Sequence, residues 1–181
     1  MRIEALLHDR LADVRAAILT FPTGRTWLQC LLVYAVFAAI ALSLGLGSGL
    51  LRPSLAELSP KTFALLAITT LLSPSLMEEV IFRVLPLPRD ATRVTEPRFA
   101  LISTVSLVAF VAAHPLSAWL LRPAAWALFT SPEFLAIAAL LGAACTAVYL
   151  ISKSLWPPLL LHWTAVLTWI TLLGGQALLK G

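Results

Sequence analysis

Apolar residues recur in long unbroken runs along most of this chain, and polar residues gather between the runs. Trp27 to Leu51 carries no charge and is long enough to span roughly 30 Å of hydrocarbon. Thr62 to Leu85 is a second run, interrupted by Pro74 and three charges. Phe99 to Ala113 is a shorter third run and Phe134 to Ile151 a fourth. Leu155 to Leu179 is a fifth, with Pro157 and Pro158 near its start. Leu116 to Phe129 reads two ways, because Trp119 and Trp126 are joined there by Arg122 and Pro123: an interfacial helix, or part of a sixth crossing.

The first 25 residues follow a different pattern. Leu6, Leu7, Leu11, Val14, Ile18 and Leu19 recur among Arg2, Glu4, His8, Asp9, Arg10, Asp13 and Arg15, mostly every three or four positions. This spacing predicts an amphipathic helix on the membrane surface, ended near Pro22 and Gly24. It does not suit a secretory signal, whose apolar core is continuous. The pattern as a whole predicts an all-α, polytopic transmembrane helical bundle of five or six spans. Residues 1–25 form its N-terminal surface segment and residues 26–181 its transmembrane domain.

Composition agrees. Hydrophobic residues make up 60% of the 181 and charged residues 12%, against about 45–50% and about 25% in soluble domains. A mean hydropathy of +0.92 excludes a disordered chain, a coiled coil and an ordinary soluble globule. The net charge of +4 is spread along the chain, so it bears on membrane orientation and does not imply a nucleic-acid partner. With five spans and an inner N-terminus, the inner loops hold Arg2, Arg10, Arg15, Arg25, Arg89, Arg93, Arg98 and Lys153. The outer loops hold Arg52, Lys61, Arg122 and Lys180. That asymmetry predicts a cytoplasmic N-terminus and a cytoplasmic loop from Pro86 to Arg98. Cys30 and Cys145 stand alone in apolar runs, so spacing predicts neither a disulfide framework nor a thiolate metal site.

The informative residues break the apolar pattern. A carboxylate at mid-membrane costs about 2.5–3.5 kcal/mol even on the lenient insertion scale. Yet the second run ends in Glu78-Glu79-Val80-Ile81-Phe82-Arg83. Glu79 and Arg83 are four apart and share a helix face, so they can pair. Glu78 projects about 100° away and is left free to act as a base. His114 follows Phe110 by four residues, and His162 lies near the start of the fifth run. If the second and third runs form a hairpin, the midpoint between Glu78 and His114 is position 96. The middle of the loop from Pro86 to Arg98 is position 92, so the two side chains can meet. His162 can reach Glu78 from the fifth run. The structural alternative is a plain helix clamp with Arg83 snorkelling, beside two ordinary interfacial histidines.

Carboxylates and imidazoles in a membrane cavity suit three chemistries. In the first, Glu78 takes a proton from a water that attacks a peptide carbonyl, while His114 and His162 hold the water or the oxyanion. The second is a zinc site of two histidines and a glutamate, although the His-Glu-x-x-His helix signature is absent. The third is proton or ion transport, which usually comes with paired repeats that are not seen here.

Glu78-Glu79-x-x-x-Arg83, then Phe110-x-x-x-His114, then His162 in a later run, resembles the CPBP family of intramembrane glutamic endopeptidases. That family includes the type II CAAX prenyl endopeptidases and the abortive-infection or bacteriocin self-immunity proteins. The resemblance covers Thr62 to Leu173. It implies a metal-independent endopeptidase without cofactor, acting on a membrane-associated protein or peptide substrate, prenylated or not, beside membrane lipid. It also implies that Glu78 activates the water, that Glu79 and Arg83 support it, and that His114 and His162 complete the site. The family's third motif often reads His-x-x-x-Asn, and here Val166 occupies the last position. Thr164 and Thr168 lack that spacing. Losing one oxyanion donor costs about 2.7–4 kcal/mol of transition-state stabilisation. The alternative reading is therefore a non-catalytic membrane partner or bacteriocin-immunity factor that keeps the family's cavity.

Overall fold

The computed structural model describes residues 2–89 and 94–180, with side chains described for 10–89 and 94–179. Arg93, and the side chains of Arg2, Glu4, Leu6, Leu7, His8, Asp9 and Lys180, lie outside the described residues. No strand forms among the described residues, and helices carry the fold.

The helices begin where the sequence supplies caps. Helix α1 runs Arg2–Leu19 and α2 runs Gly24–Ser48, with the Thr23 side chain accepting from the Thr26 N–H. The next membrane-length helix, Pro60–Val84, is built of several pieces. Its first part, α3 (Pro60–Thr70), is capped by Ser59 and opened by proline. Pro74 has no N–H to donate, and Ser73 leaves the helical region (φ −145°, ψ 119°). The chain widens into π turns over Leu71–Leu76 and Val80–Val84, on either side of one α turn, α4 (Met77–Glu79). Met77 N–H donates to Leu72 O, and Leu85 N–H to Val80 O, each five residues back. Such π turns recur at functional sites.

Helix α5 runs Glu96–Leu120, through Pro115. It therefore extends about two turns beyond the expected end at Ala113 and absorbs Leu116 to Leu120. The rest of the ambiguous segment is a 3-10 turn, Pro123–Ala125, and a single helical turn, α6 (Trp126–Phe129). No helix long enough for a sixth crossing forms there. Helix α7 runs Pro132–Ser152, capped by Ser131, and α8 runs Trp156–Leu172.

Four of these helices are long and apolar enough to cross a membrane: Gly24–Ser48, Pro60–Val84, Glu96–Leu120 and Pro132–Ser152. The expected fifth span is interrupted. Helix α8 has 17 residues, about 26 Å at a rise of 1.5 Å per residue. It ends before Gly174, whose φ of +80° favours glycine, and α9 (Gly175–Lys180) follows. An extended segment covers the end of α8. Arg52, Ser54 and Ala56 donate their N–H groups to Leu173, Leu172 and Thr171 carbonyls at 3.2, 3.0 and 2.9 Å, so the last turn is not left with orphan acceptors.

Helix α7 is the most buried of the four membrane-length helices. Its Leu141, Ala144, Cys145 and Val148 pack against Cys30, Phe37 and Ala41 of α2 and Leu161 of α8. Leu28, Leu32, Val36 and Leu44 of α2 point outward, as expected when the surrounding solvent is hydrocarbon. The C-terminal half of α1 is anchored to one end of the bundle. Ala17 is fully buried against Val84, Leu87 and Tyr149. Ile18 O accepts from Trp156 Nε1 at 2.9 Å, and Thr20 O from Ser154 Oγ at 2.7 Å. The protein is an integral membrane helical bundle.

Candidate active site

The one α turn between the π turns presents two glutamates in different directions. Glu79 is fully buried, whereas the Glu78 side chain keeps 21% of its surface exposed. The ion pair expected from the four-residue spacing forms: Arg83 Nη1 lies 3.1 Å from Glu79 Oε1. The N–H is not aimed for a hydrogen bond, so the contact is one of charge. Arg83 is itself 1% exposed. A charge so buried is costly unless other groups satisfy it. Its Nη2 donates to Gly142 O on α7 at 3.2 Å, and its guanidinium carbon sits 4.2 Å from the centroid of the Phe110 ring, a cation–π contact.

His162 enters from α8 and is also buried. Its Nδ1 lies 2.7 Å from Glu79 Oε1, and its Nε2 lies 3.8 Å from Glu78 Oε2. Facing an ionised Glu79 at 2.7 Å, Nδ1 is the donor, and in the neutral ring Nε2 then keeps a lone pair. The imidazole thus offers an acceptor toward Glu78. The 3.8 Å gap is too long for a direct hydrogen bond. Glu78 Oε2 and Glu79 Oε2 are both buried without a hydrogen-bond partner.

The residues predicted from sequence converge unequally. Glu78, Glu79, Arg83 and His162 form one contiguous cluster. The imidazole within 4 Å of Glu78 is that of His162. His114 and His162 both pack edge-on against Phe110, with ring centroids 5.2 and 5.9 Å from it. His114 Nδ1 is 3.1 Å from Phe110 O, and Phe129 and Phe134 pack against its ring edge-on at 5.6 and 5.3 Å. Donation to that carbonyl leaves its Nε2 as the free nitrogen.

Two further ties set this geometry. Ser106 Oγ on α5 donates to Phe82 O, and Trp163 Nε1 on α8 donates to Ala67 O at 2.8 Å. Sequence reasoning missed Gly142, whose carbonyl serves Arg83, and Cys145, one turn further on the same helix. A glycine inside an apolar span is a mild signal of close helix packing. Nothing in the run around Cys145 distinguished it. Its sulfur, one carboxylate oxygen of Glu79 and one ring nitrogen of His162 all lie within 4.8 Å of one another. The two free cysteines, Cys30 and Cys145, are both buried.

An apolar recess of about 170 Å³ opens between α2, α7 and α8, lined by Trp27, Cys30, Tyr34, Pro157 and Leu161 among others. Neither His162 nor the carboxylates line it.

Neither curated proteins nor solved structures give a significant match to this chain. A family model does: type II CAAX prenyl endopeptidase Rce1-like, over residues 60–168. The matched interval runs from the start of α3 into α8 and encloses Glu78, Glu79, Arg83, His114 and His162. The resemblance seen in the motif residues and the match over more than half of the sequence point the same way, and the chain belongs to the type II CAAX prenyl endopeptidase Rce1-like family of membrane proteases.

Proposed function

We propose that the protein hydrolyses a peptide bond of a membrane-associated substrate with a water activated by Glu78, without a metal. The observation that carries this reading is the facing pair of Glu78 Oε2 and His162 Nε2, 3.8 Å apart, with Glu78 the partly exposed member. A water between them gives one hydrogen to each acceptor. Glu78 takes its proton as the water oxygen bonds to the carbonyl carbon and the carbonyl electron pair moves to oxygen. The tetrahedral species then collapses, the C–N bond breaks, and Glu78 returns the proton to the leaving amine. Glu79 remains on Arg83 and holds the His162 tautomer. His114 assists at the oxyanion through Nε2 when that nitrogen is protonated.

We also propose residues 1–25 as the surface segment and 26–181 as the transmembrane domain, with the family core near 62–173. The N-terminus is cytoplasmic and the site opens to that side. Arg89 Nε donates to Lys153 O at 3.0 Å, which gathers cationic residues at the bundle end where α1 is anchored. The apolar recess beside α8 suits a lipid-modified or hydrophobic substrate segment. Reporter fusions at residue 1 and in the loop after Ser48 should report opposite sides.

The test is cleavage of membrane-tethered peptides in lipid by wild type and Glu78→Ala, with and without chelator. Cleavage lost in the variant and indifferent to chelator supports the reading. Cleavage abolished by chelator overturns metal independence. Function retained in Glu78→Ala supports the non-catalytic partner or immunity reading, which Val166 in place of the family's Asn favours.

A further inference from the structure

Cys145 has no part in the hydrolytic cycle, yet it is fully buried against that site. Its thiol lies 3.7 Å from Pro158 O and also reaches the Glu79 carboxylate. Glu79, Cys145 and His162 come from α4, α7 and α8, and their donor atoms cluster within 4.8 Å. Carboxylate, thiolate and imidazole are zinc donors, at about 2.0–2.2, 2.3 and 2.0–2.1 Å. A tetrahedral centre with those bonds spaces its donors roughly 3.3–3.8 Å apart, so closure by an ångström or so suffices.

Two independent features point inward. Glu79 Oε2 is buried and unpartnered, so one oxygen is open to a cation while Oε1 stays near Arg83. His162 already presents its second nitrogen to a carboxylate, Glu78. A metal-bound histidine normally donates its other N–H to such a carboxylate.

We propose that Glu79, Cys145 and His162 form a site for a soft divalent cation, zinc by donor type, and that occupancy switches the glutamate site off. The inhibitory half rests on the endopeptidase reading. Binding at Nδ1 needs its lone pair, so the ring proton moves to Nε2. The thiol proton leaves to solvent as the metal–sulfur bond forms. Nε2 changes from acceptor to donor and bonds to Glu78. The carboxylate then has a hydrogen-bond donor where it had a water, and the imidazole no longer accepts from that water. No electrons are transferred. Arg83, 3.1 Å from Glu79 Oε1, opposes the incoming cation, while loss of the thiol proton offsets one of its two charges.

The experiment uses the purified full chain in lipid, with Co(II) as spectroscopic probe and Zn(II) in competition. Wild type should show thiolate-to-cobalt charge transfer, displaced by zinc at one ion per chain. Cys30→Ala should keep the band. Cys145→Ser and Cys145→Ala should lose it and weaken zinc binding by about ten-fold or more. Both Cys145 variants should cleave normally without added metal and resist zinc, whereas wild-type cleavage falls as zinc is added. Absence of the band in wild type, or its persistence in Cys145→Ser, overturns the site. Zinc bound with cleavage unchanged overturns the switch. Cleavage that requires zinc overturns both the switch and metal-independent hydrolysis. If no peptide is cleaved under any condition, the endopeptidase reading fails, and the cobalt band still decides the site.

Discussion

His162 Nδ1 lies 2.7 Å from Glu79 Oε1, and this contact determines what the other nitrogen offers Glu78. The two adjacent glutamates therefore have separable roles. Glu78→Gln replaces the partly exposed carboxylate proposed as the base, whose Oε2 accepts no hydrogen bond. It should lower kcat by about 10²–10⁴-fold and leave the thermal midpoint unchanged. Glu79→Gln should lower both activity and stability, because a neutral amide does not balance buried Arg83 and can turn either its oxygen or its NH2 to Nδ1, so that one tautomer is no longer imposed. Cleavage rates and melting curves on the same preparations distinguish the two. Equal loss of stability in both variants would sink the division of roles.

Arg83 is the side chain on which the cluster's charge balance depends. Arg83→Met leaves Glu79 buried beside an imidazole alone, at a cost of about 3–5 kcal/mol. In the double variant Glu79→Gln/Arg83→Met neither charge remains, and much of the stability should return while activity does not. Thermal unfolding in lipid or detergent checks this. A double variant no more stable than Arg83→Met would show that Arg83 matters through the Gly142 carbonyl and the Phe110 ring, and not through charge.

Gly142 sits where α7 passes closest to the site. A Cβ there would lie 2.7 Å from Leu107 Cδ1, 2.9 Å from Phe110 Cδ1 and 3.1 Å from Arg83 Nη2. Gly142→Ala should cost about 1–3 kcal/mol through overpacking. It should lower kcat more than it raises KM, since the displaced Phe110 ring packs against both His114 and His162. A variant with wild-type kcat would remove Phe110 from the positioning of the histidines.

These variants also separate what was legible in the sequence from what was not. The uncharged run from Trp27 and the carboxylates at Glu78 and Glu79 were legible for one reason: hydrocarbon tolerates the former and penalises the latter. Helix boundaries were less so. The third run was expected to end at Ala113, but α5 runs through Pro115 to Leu120. Gly174 breaks the fifth run because a positive φ is needed there, which apolar patterning does not reveal. The hairpin arithmetic places His114 near Glu78, and the structure packs His114 and His162 against the same Phe110 ring. Gly142 and Cys145 meet the cluster through contacts made across helices, of which the glycine is a mild trace in the sequence and the cysteine none.

Val166 follows His162 by one helical turn on α8 and is partly buried. A valine there offers no hydrogen to an oxyanion, and neither imidazole supplies one in the tautomers held by Glu79 and the Phe110 carbonyl. Val166→Asn places an amide donor at the position where the family's motif often has one. If the oxyanion forms on this side of Glu78, the variant should raise kcat by up to about 10²–10³-fold, the size of the effect when one such donor is removed elsewhere. KM should change little, because the donor acts on charge that develops only in the transition state. Single-turnover cleavage of the tethered peptides by Val166→Asn and Val166→Thr measures this directly. An unchanged rate in Val166→Asn, with Glu78→Gln still inactive, would place the oxyanion out of reach of position 166.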